Sequence, residues 1–477
     1  MVKELSIVQI NDVHGYIEPH LEHFYNKEGL IVDEAGGFSR MKTIIEEIQK
    51  ERMTFIFDNG DTFHGTYEAV NSEGKNLIPL VNELGIQAMT FHWDIGYGPE
   101  KLKAIGEELN YPILAINAYE KETDELYFKP YTIVKQEDIS IGIIGIAATI
   151  IDKTMPAHFS EGLYFTLGNE ELPHYVQELQ EKEVDLIVVL SHLGFPQDVK
   201  MMQEVGGVDI CLSGHTHNRL SEPVQIDNTT IIQSGSQSSF IGKIDVTVED
   251  KKITELDHSL MTITKDIPEN SKMKDLVQKA VAPYKEQLSE VVGQTDGILH
   301  RGWNVESTMD NLLLEAIQHQ TNSELAFSNG WRYGAPIDKG PITLKQLYQM
   351  IPMDPPVSTV ELTGREIYEM LEENIENTYA ANPYDQMGGY LKRALGLKAF
   401  FKVENPKGHR IQKLLIKGEP VDLDKHYSVS YVTNQGVPNK YGENHKKLEV
   451  HAIEAMRNFL KEKEVYHATL FGTFEII

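Results

Sequence analysis

The chain has 477 residues, enough for two or three domains that each bury a core, and its apolar, charged, glycine and proline contents are those of an ordinary globular protein. With 44 basic against 72 acidic side chains the formal charge is −28, which argues against a nucleic-acid polymer as partner, because phosphate backbones are held by clustered lysine and arginine. A single cysteine leaves no internal disulfide framework, and no apolar run approaches the roughly 18 residues of a membrane span.

The first residues lead directly into a strand over 5–10, without the apolar stretch of a signal peptide, so a cytoplasmic location is expected. That strand ends at Asn11-Asp12-Val13-His14. A helix is predicted over 40–51, then a strand over 55–58 that ends at Gly60-Asp61. Residues 102–109 read as helix, 113–117 as extended, and 131–135 and 139–145 as strands. A helix over 170–182 precedes the apolar run 184–190, which ends at Ser191-His192. The run 208–212, where Cys211 reads as an inert core residue, ends at Gly214-His215-Thr216-His217. β-Branched stretches at 229–233 and 241–248 close this region. Short apolar strands alternating with helices imply a layered α/β domain over 1–268. A polar segment with helical spacing, 269–292, reads as a connecting helix. A second domain, 293–477, mixes strands with helices at 310–320, 365–374 and 452–462.

Polar residues of one chemical kind collect where the apolar runs stop. Asp12, His14, Asp61, His92, His192, His215 and His217 each follow such a run or sit in a glycine-rich turn. Open α/β sheets place their sites at these strand ends. Two carboxylates with five imidazoles suit zinc, manganese or iron, and the set is too rich in nitrogen for calcium or magnesium alone. The inventory is that of a site for two divalent ions, with one carboxylate between them and a water activated for attack. Such a site would give this acidic chain the positive charge needed by a small anionic substrate.

Asp12-x-His14, Gly60-Asp61, Ser191-His192 and Gly214-His215-Thr216-His217, in that order, resemble the calcineurin-like metallophosphoesterases. More narrowly, Ile10–Gly15, Gly36-Gly37-Phe38-Ser39-Arg40 and Asp58–Asp61 resemble the N-terminal signatures of the two-domain 5′-nucleotidase/UDP-sugar hydrolase superfamily. Val305-Glu306-Ser307-Thr308 and Asn329-Gly330-Trp331-Arg332 are similar to its C-terminal domain. The resemblance implies a four-layer metallophosphoesterase sandwich followed by an α/β substrate-binding domain. It implies one ion held by Asp12, His14 and His217, a second by His192 and His215, and Asp61 bridging them. Manganese or zinc is the expected metal, with iron a third choice.

The chain departs from that pattern at Phe91–Gly98. His92 stands where the superfamily has a metal-binding Asn and can still ligate through a ring nitrogen. Trp93 stands at the place of the catalytic His, and Gly96 at that of the carboxylate orienting it. Indole exchanges no proton near neutral pH, so Trp93 is expected to shape a pocket over the metals. A His-Trp-acidic motif followed by Tyr-Gly is similar to the thiosulfohydrolase branch of the superfamily. So are Asn382–Gly389 with Lys392-Arg393, Gly408–Ile411, and Trp331–Gly334 with Gly340–Thr343. No Gly-Gly-Asp-Gly loop occurs near Thr433–Gly436, and Tyr390 matches the first of the two aromatics that sandwich a base in nucleotidases. Arg332 is the leading candidate for binding a substrate anion through its fixed fork, with Arg393 and Arg410 behind it.

The expected activity is therefore hydrolysis of phosphate esters, with Asp61, His92, Trp93 and Arg332 at the reacting centre. Cleavage of a sulfonate from a carrier sulfur is the alternative, and a non-catalytic, metal-stabilised binding protein is the third reading.

Overall fold

A computed structural model of the chain describes residues Val2 to Ile477. It divides into two compact units. One comprises the residues up to His20 together with Glu34–Pro283; the other comprises Leu21–Asp33 and Tyr284–Ile477. The hairpin His20–Asn26/Gly29–Ala35, absent from the sequence reading, thus gives most of its length to the second unit.

The first unit holds two sheets. One runs in the order Lys252–Thr262, Phe240–Glu249, Val2–Ile10, Met53–Asp58, Ala88–Met89; its last three strands are parallel. The other runs Val224–Ile226, Thr229–Ile232, Ile210–Ser213, Leu186–Ser191, Ile139–Ile146, Tyr131–Gln136, with its four inner strands parallel. Alternate residues explain the layering. Leu5, Ile7, Phe55 and Phe57 share one buried cluster with Ile141, Val188 and Leu212 of the other sheet. Val8, Ile10 and Ile56 point the other way, into a cluster with Phe38, Met41 and Ile45 of the helix Phe38–Glu51. On the outer face of the second sheet, Gly142 leaves room for Leu179 of the helix Leu172–Glu181. Helix, sheet, sheet and helix make the four expected layers. Strands covered on both faces read as unbroken apolar runs for this reason.

Two elements differ from the sequence reading. Residues 113–117 form only isolated parallel bridges, Met89 with Ile113 and Leu114 with Lys129. In the segment 269–292 the helix Ser271–Val281 lays Met273, Val277 and Val281 into the first unit's core, and Lys285–Leu288 forms a separate short helix. No helix among the described residues is long and apolar enough to cross a membrane.

The second unit is built on a sheet in the order Tyr390–Leu395, Leu325–Gly330, His426–Val432, Pro356–Thr363, Glu443–His451. Its helix Thr308–Thr321 starts where the Ser307 side chain accepts from the Asp310 N–H, and Gly364–Tyr379 starts at a Thr363/Glu366 capping box.

Candidate metal centre

Five loops of the first unit leave the C-terminal ends of parallel strands and converge. Asn59 joins the two sheets at that edge: its Nδ2 donates to the Ser191 carbonyl at 3.1 Å, and its Oδ1 accepts from Gln9 Nε2 at 2.9 Å. Two glycines make the approach tight enough. A Cβ on Gly60 would lie 2.7 Å from the Thr90 carbonyl, and one on Gly214 would lie 3.1 Å from His192 Nδ1. The backbone is held in a rare conformation where the side chains matter. Asp12, His14, Asp61, His215 and His217 all have φ between 50° and 72°, a left-handed region that non-glycine residues adopt only when their surroundings impose it.

Seven side chains come together as two groups of potential metal ligands, Asp61–His92–His192–His215 and Asp12–His14–His217. All are buried except His217, which is partly so. Asp61 Oδ2 lies where the groups meet: 3.1 Å from His192 Nε2, 3.2 Å from His92 Nδ1 and 3.7 Å from His14 Nε2. Asp12 Oδ1 is 3.3 Å from His217 Nε2 and 3.6 Å from His192 Nε2. Backbone carbonyls set the imidazole tautomers. His14 Nδ1 donates to the His64 carbonyl at 3.2 Å and His192 Nδ1 to the Asn59 carbonyl at 2.6 Å, which turns each Nε2 inward.

Charge follows from burial and neighbours. Burial pushes the His14 imidazole down to about 4, leaving it neutral. Burial would raise the Asp61 carboxyl, but His92, His192 and His14 outweigh it and hold the group well below its ordinary value. Burial would lower His192, yet Asp61 and Asp12 lift it to about 10. The residues fit a pair of divalent cations. Ring nitrogens of His14 and His217 approach to 3.1 Å, and buried His92 Nε2 has no hydrogen-bond partner.

Asp94, which the sequence reading did not single out, holds the arrangement in place. Its Oδ1 accepts from the backbone N–H groups of Thr62 and Phe63, both at 2.8 Å. Its Oδ2 accepts from those of Asp61 at 2.8 Å and His92 at 3.1 Å. The Trp93 N–H donates in return to Asp61 Oδ1 at 2.6 Å, so Oδ2 is the oxygen left facing the histidines. Trp93 thus serves the centre through its backbone. Its half-buried ring packs 5.0 Å from His64 and 5.6 Å from Phe159, centre to centre.

The second-unit candidates separate. Arg332 is half-buried, donates through Nη2 to the Gly389 carbonyl at 2.9 Å, and lies 5.1 Å from the ring centre of Tyr390. Arg393 and Arg410 correct the expectation that they bind substrate. Arg393 is buried, with Nε on Asp310, Nη1 on the Asn304 carbonyl and Nη2 on the Trp303 carbonyl. Arg410 is buried against Glu376 and the carbonyls of Tyr379 and Val403. Both guanidiniums are engaged inside the fold, where backbone carbonyls need donors.

Comparison with known proteins agrees with this geometry. The sequence profile described as calcineurin-like phosphoesterase matches residues 5–219, and that of the 5′-nucleotidase C-terminal domain matches residues 288–437. The chain belongs to the calcineurin-like phosphoesterases, in the form that carries a 5′-nucleotidase C-terminal domain, and is a hydrolase of that family. It is 23% identical to the trifunctional nucleotide phosphoesterase protein YfkN of Bacillus subtilis, across 91% of this chain and 32% of that protein, so it spans about a third of that relative's length. Two solved structures share the fold. The sulfate thiohydrolase SoxB of Thermus thermophilus superposes with a TM-score of 0.92 at 20% identity, over 99% of this chain and 96% of that one. A 5′-nucleotidase precursor from Thermus thermophilus gives 0.87 at 23% identity, over 99% of both chains.

Proposed function

We propose that this chain is a dinuclear metal-dependent phosphohydrolase acting on nucleotides or related phosphate compounds. The observation that carries the proposal is the meeting of two ligand groups at Asp61 Oδ2. Two divalent ions bound there, manganese or zinc, supply charge neutralisation and an activated water. The rest falls to the chain's own residues. Asp61, oriented by the Trp93 N–H, spans the two groups, and His92 adds a buried nitrogen; within the second unit, Arg332 beside Tyr390 is proposed as an anion-binding residue. The 5′-nucleotidase and nucleotide phosphoesterase among its relatives support this choice of substrate.

A second reading, hydrolysis of a sulfonate from a carrier sulfur, is favoured by the SoxB likeness together with Trp93 at a position where proton transfer is impossible. Protein loaded with manganese is to be assayed on nucleoside monophosphates, bis-p-nitrophenyl phosphate and an S-sulfonated cysteine peptide. Turnover of the phosphate compounds is expected. Turnover of the S-sulfonate alone would replace the first reading by the second, and no turnover with metal bound would leave a metal-stabilised binding protein.

Trp93→His tests the missing proton donor. It should raise hydrolysis of alkyl phosphates, whose leaving groups need protonation, by about 10²-fold, with little effect on nitrophenyl esters. Equal changes on both substrates would remove the argument. Adding Gly96→Asp confounds this test, since a Cβ there would lie 3.1 Å from His64 Cδ2 and 3.2 Å from Phe159.

A further inference from the structure

In the second unit one carboxylate serves two buried arginines. Asp310 Oδ1 accepts from Arg301 Nε and Oδ2 from Arg393 Nε, each at 2.9 Å, and all three side chains are at most 1% exposed. Among the described residues no other carboxylate lies within 4 Å of either guanidinium. The cluster therefore holds one positive charge in excess, at the N-terminus of the helix Thr308–Thr321, whose dipole has the same sign. His300 beside it does not add to the count, because burial pushes its imidazole down to about 4.

Arg393 has all three nitrogens engaged, but Arg301 does not. Its Nη1 donates to the carbonyls of Tyr333 and Met350, both at 2.7 Å, whereas buried Nη2 has no hydrogen-bond partner. Trp331 packs against it, ring centre 5.6 Å from the guanidinium carbon. Trp331 is 5% exposed, and its indole Nε1 is likewise buried without a partner. Native interiors seldom leave such donors unmade. A water molecule would satisfy the donors and leave the charge unbalanced. The Trp331 and Tyr333 faces would attract the cation and leave the indole N–H unpaired. A negatively charged acceptor answers both.

We infer that Arg301 and Trp331 form a binding site for an oxyanion group, either a free inorganic ion or the anionic end of a substrate. The site is built wholly from second-unit residues and needs no metal, so it does not depend on the proposed activity. The test is calorimetric titration of the full chain, stripped with EDTA, with inorganic phosphate, sulfate and a nucleoside monophosphate. Saturable binding is expected, and the tighter of inorganic ion and monophosphate identifies the source. Trp331→Phe removes one N–H, keeps the ring and leaves the Arg301–Asp310–Arg393 cluster in place; it should weaken binding about tenfold. Absence of saturable binding by the stripped wild-type chain would overturn the inference, as would a Trp331→Phe protein that binds as the wild type does.

Discussion

Asp61→Asn should abolish metal-dependent hydrolysis, lowering turnover by at least about 10²–10³-fold, while the protein remains folded. The side chain cannot rotate to compensate. Oδ1 is pinned by the Trp93 N–H at 2.6 Å, so the asparagine oxygen must stay there, and its NH2 must occupy the place of Oδ2. That place faces ring nitrogens of His192, His92 and His14 within 3.1–3.7 Å. An anionic acceptor shared by both ligand groups becomes a neutral donor that cannot ligate a cation. Because the surrounding imidazoles keep the Asp61 carboxyl well below its usual range, the substitution removes a full charge at any working pH. Metal content should fall from two ions per chain to one or none. A variant that retains two ions and wild-type turnover would sink the bridging role.

Asp94→Asn should lower divalent-metal affinity by about 10–100-fold, although the side chain touches none of the proposed ion positions. The carboxylate collects four backbone N–H groups from two loops, two on each oxygen. An amide offers one oxygen, and its NH2 opposes the other two donors. If the oxygen stays with Thr62 and Phe63, the N–H groups of Asp61 and His92 are stranded, and both proposed ligands lose their anchor. Each stranded buried N–H costs about 1–3 kcal/mol, so the melting temperature of the metal-free protein should fall as well. Calorimetric titration should show the weakening at the ion held by Asp61, His92, His192 and His215, with the Asp12–His14–His217 group less affected. Equal weakening of both ions, or none, would contradict the latch.

The ligand inventory was legible because each member follows a strand end. Apolar runs stopping at residues 10, 58, 190 and 212 mark where a parallel sheet presents its loops, and Asp or His just beyond such a stop has few structural reasons to be there. His92 was legible through its glycine-rich turn. Asp94 was not. Three of its four partners lie about thirty residues upstream, and the signal for its role is four N–H vectors converging, which no spacing records. Arg393 and Arg410 misled for a related reason. In sequence, an arginine beside a glycine-rich turn looks like an anion binder, whereas the fold brings backbone carbonyls and Asp310 or Glu376 to each.

Residue type and spacing alone determined the layered α/β class, the strand ends that carry chemistry, the two-carboxylate, five-imidazole inventory and the tryptophan at position 93. These follow from local rules: alternation, the length of apolar runs, and the affinity of imidazole for transition metals. Only the tertiary structure decided how closely the seven side chains gather, which oxygen of Asp61 faces the histidines, and which arginines are engaged inside the fold. Those depend on distances between residues far apart in the chain. They depend also on backbone angles, such as the positive φ of five of the seven ligands, that the surrounding packing imposes.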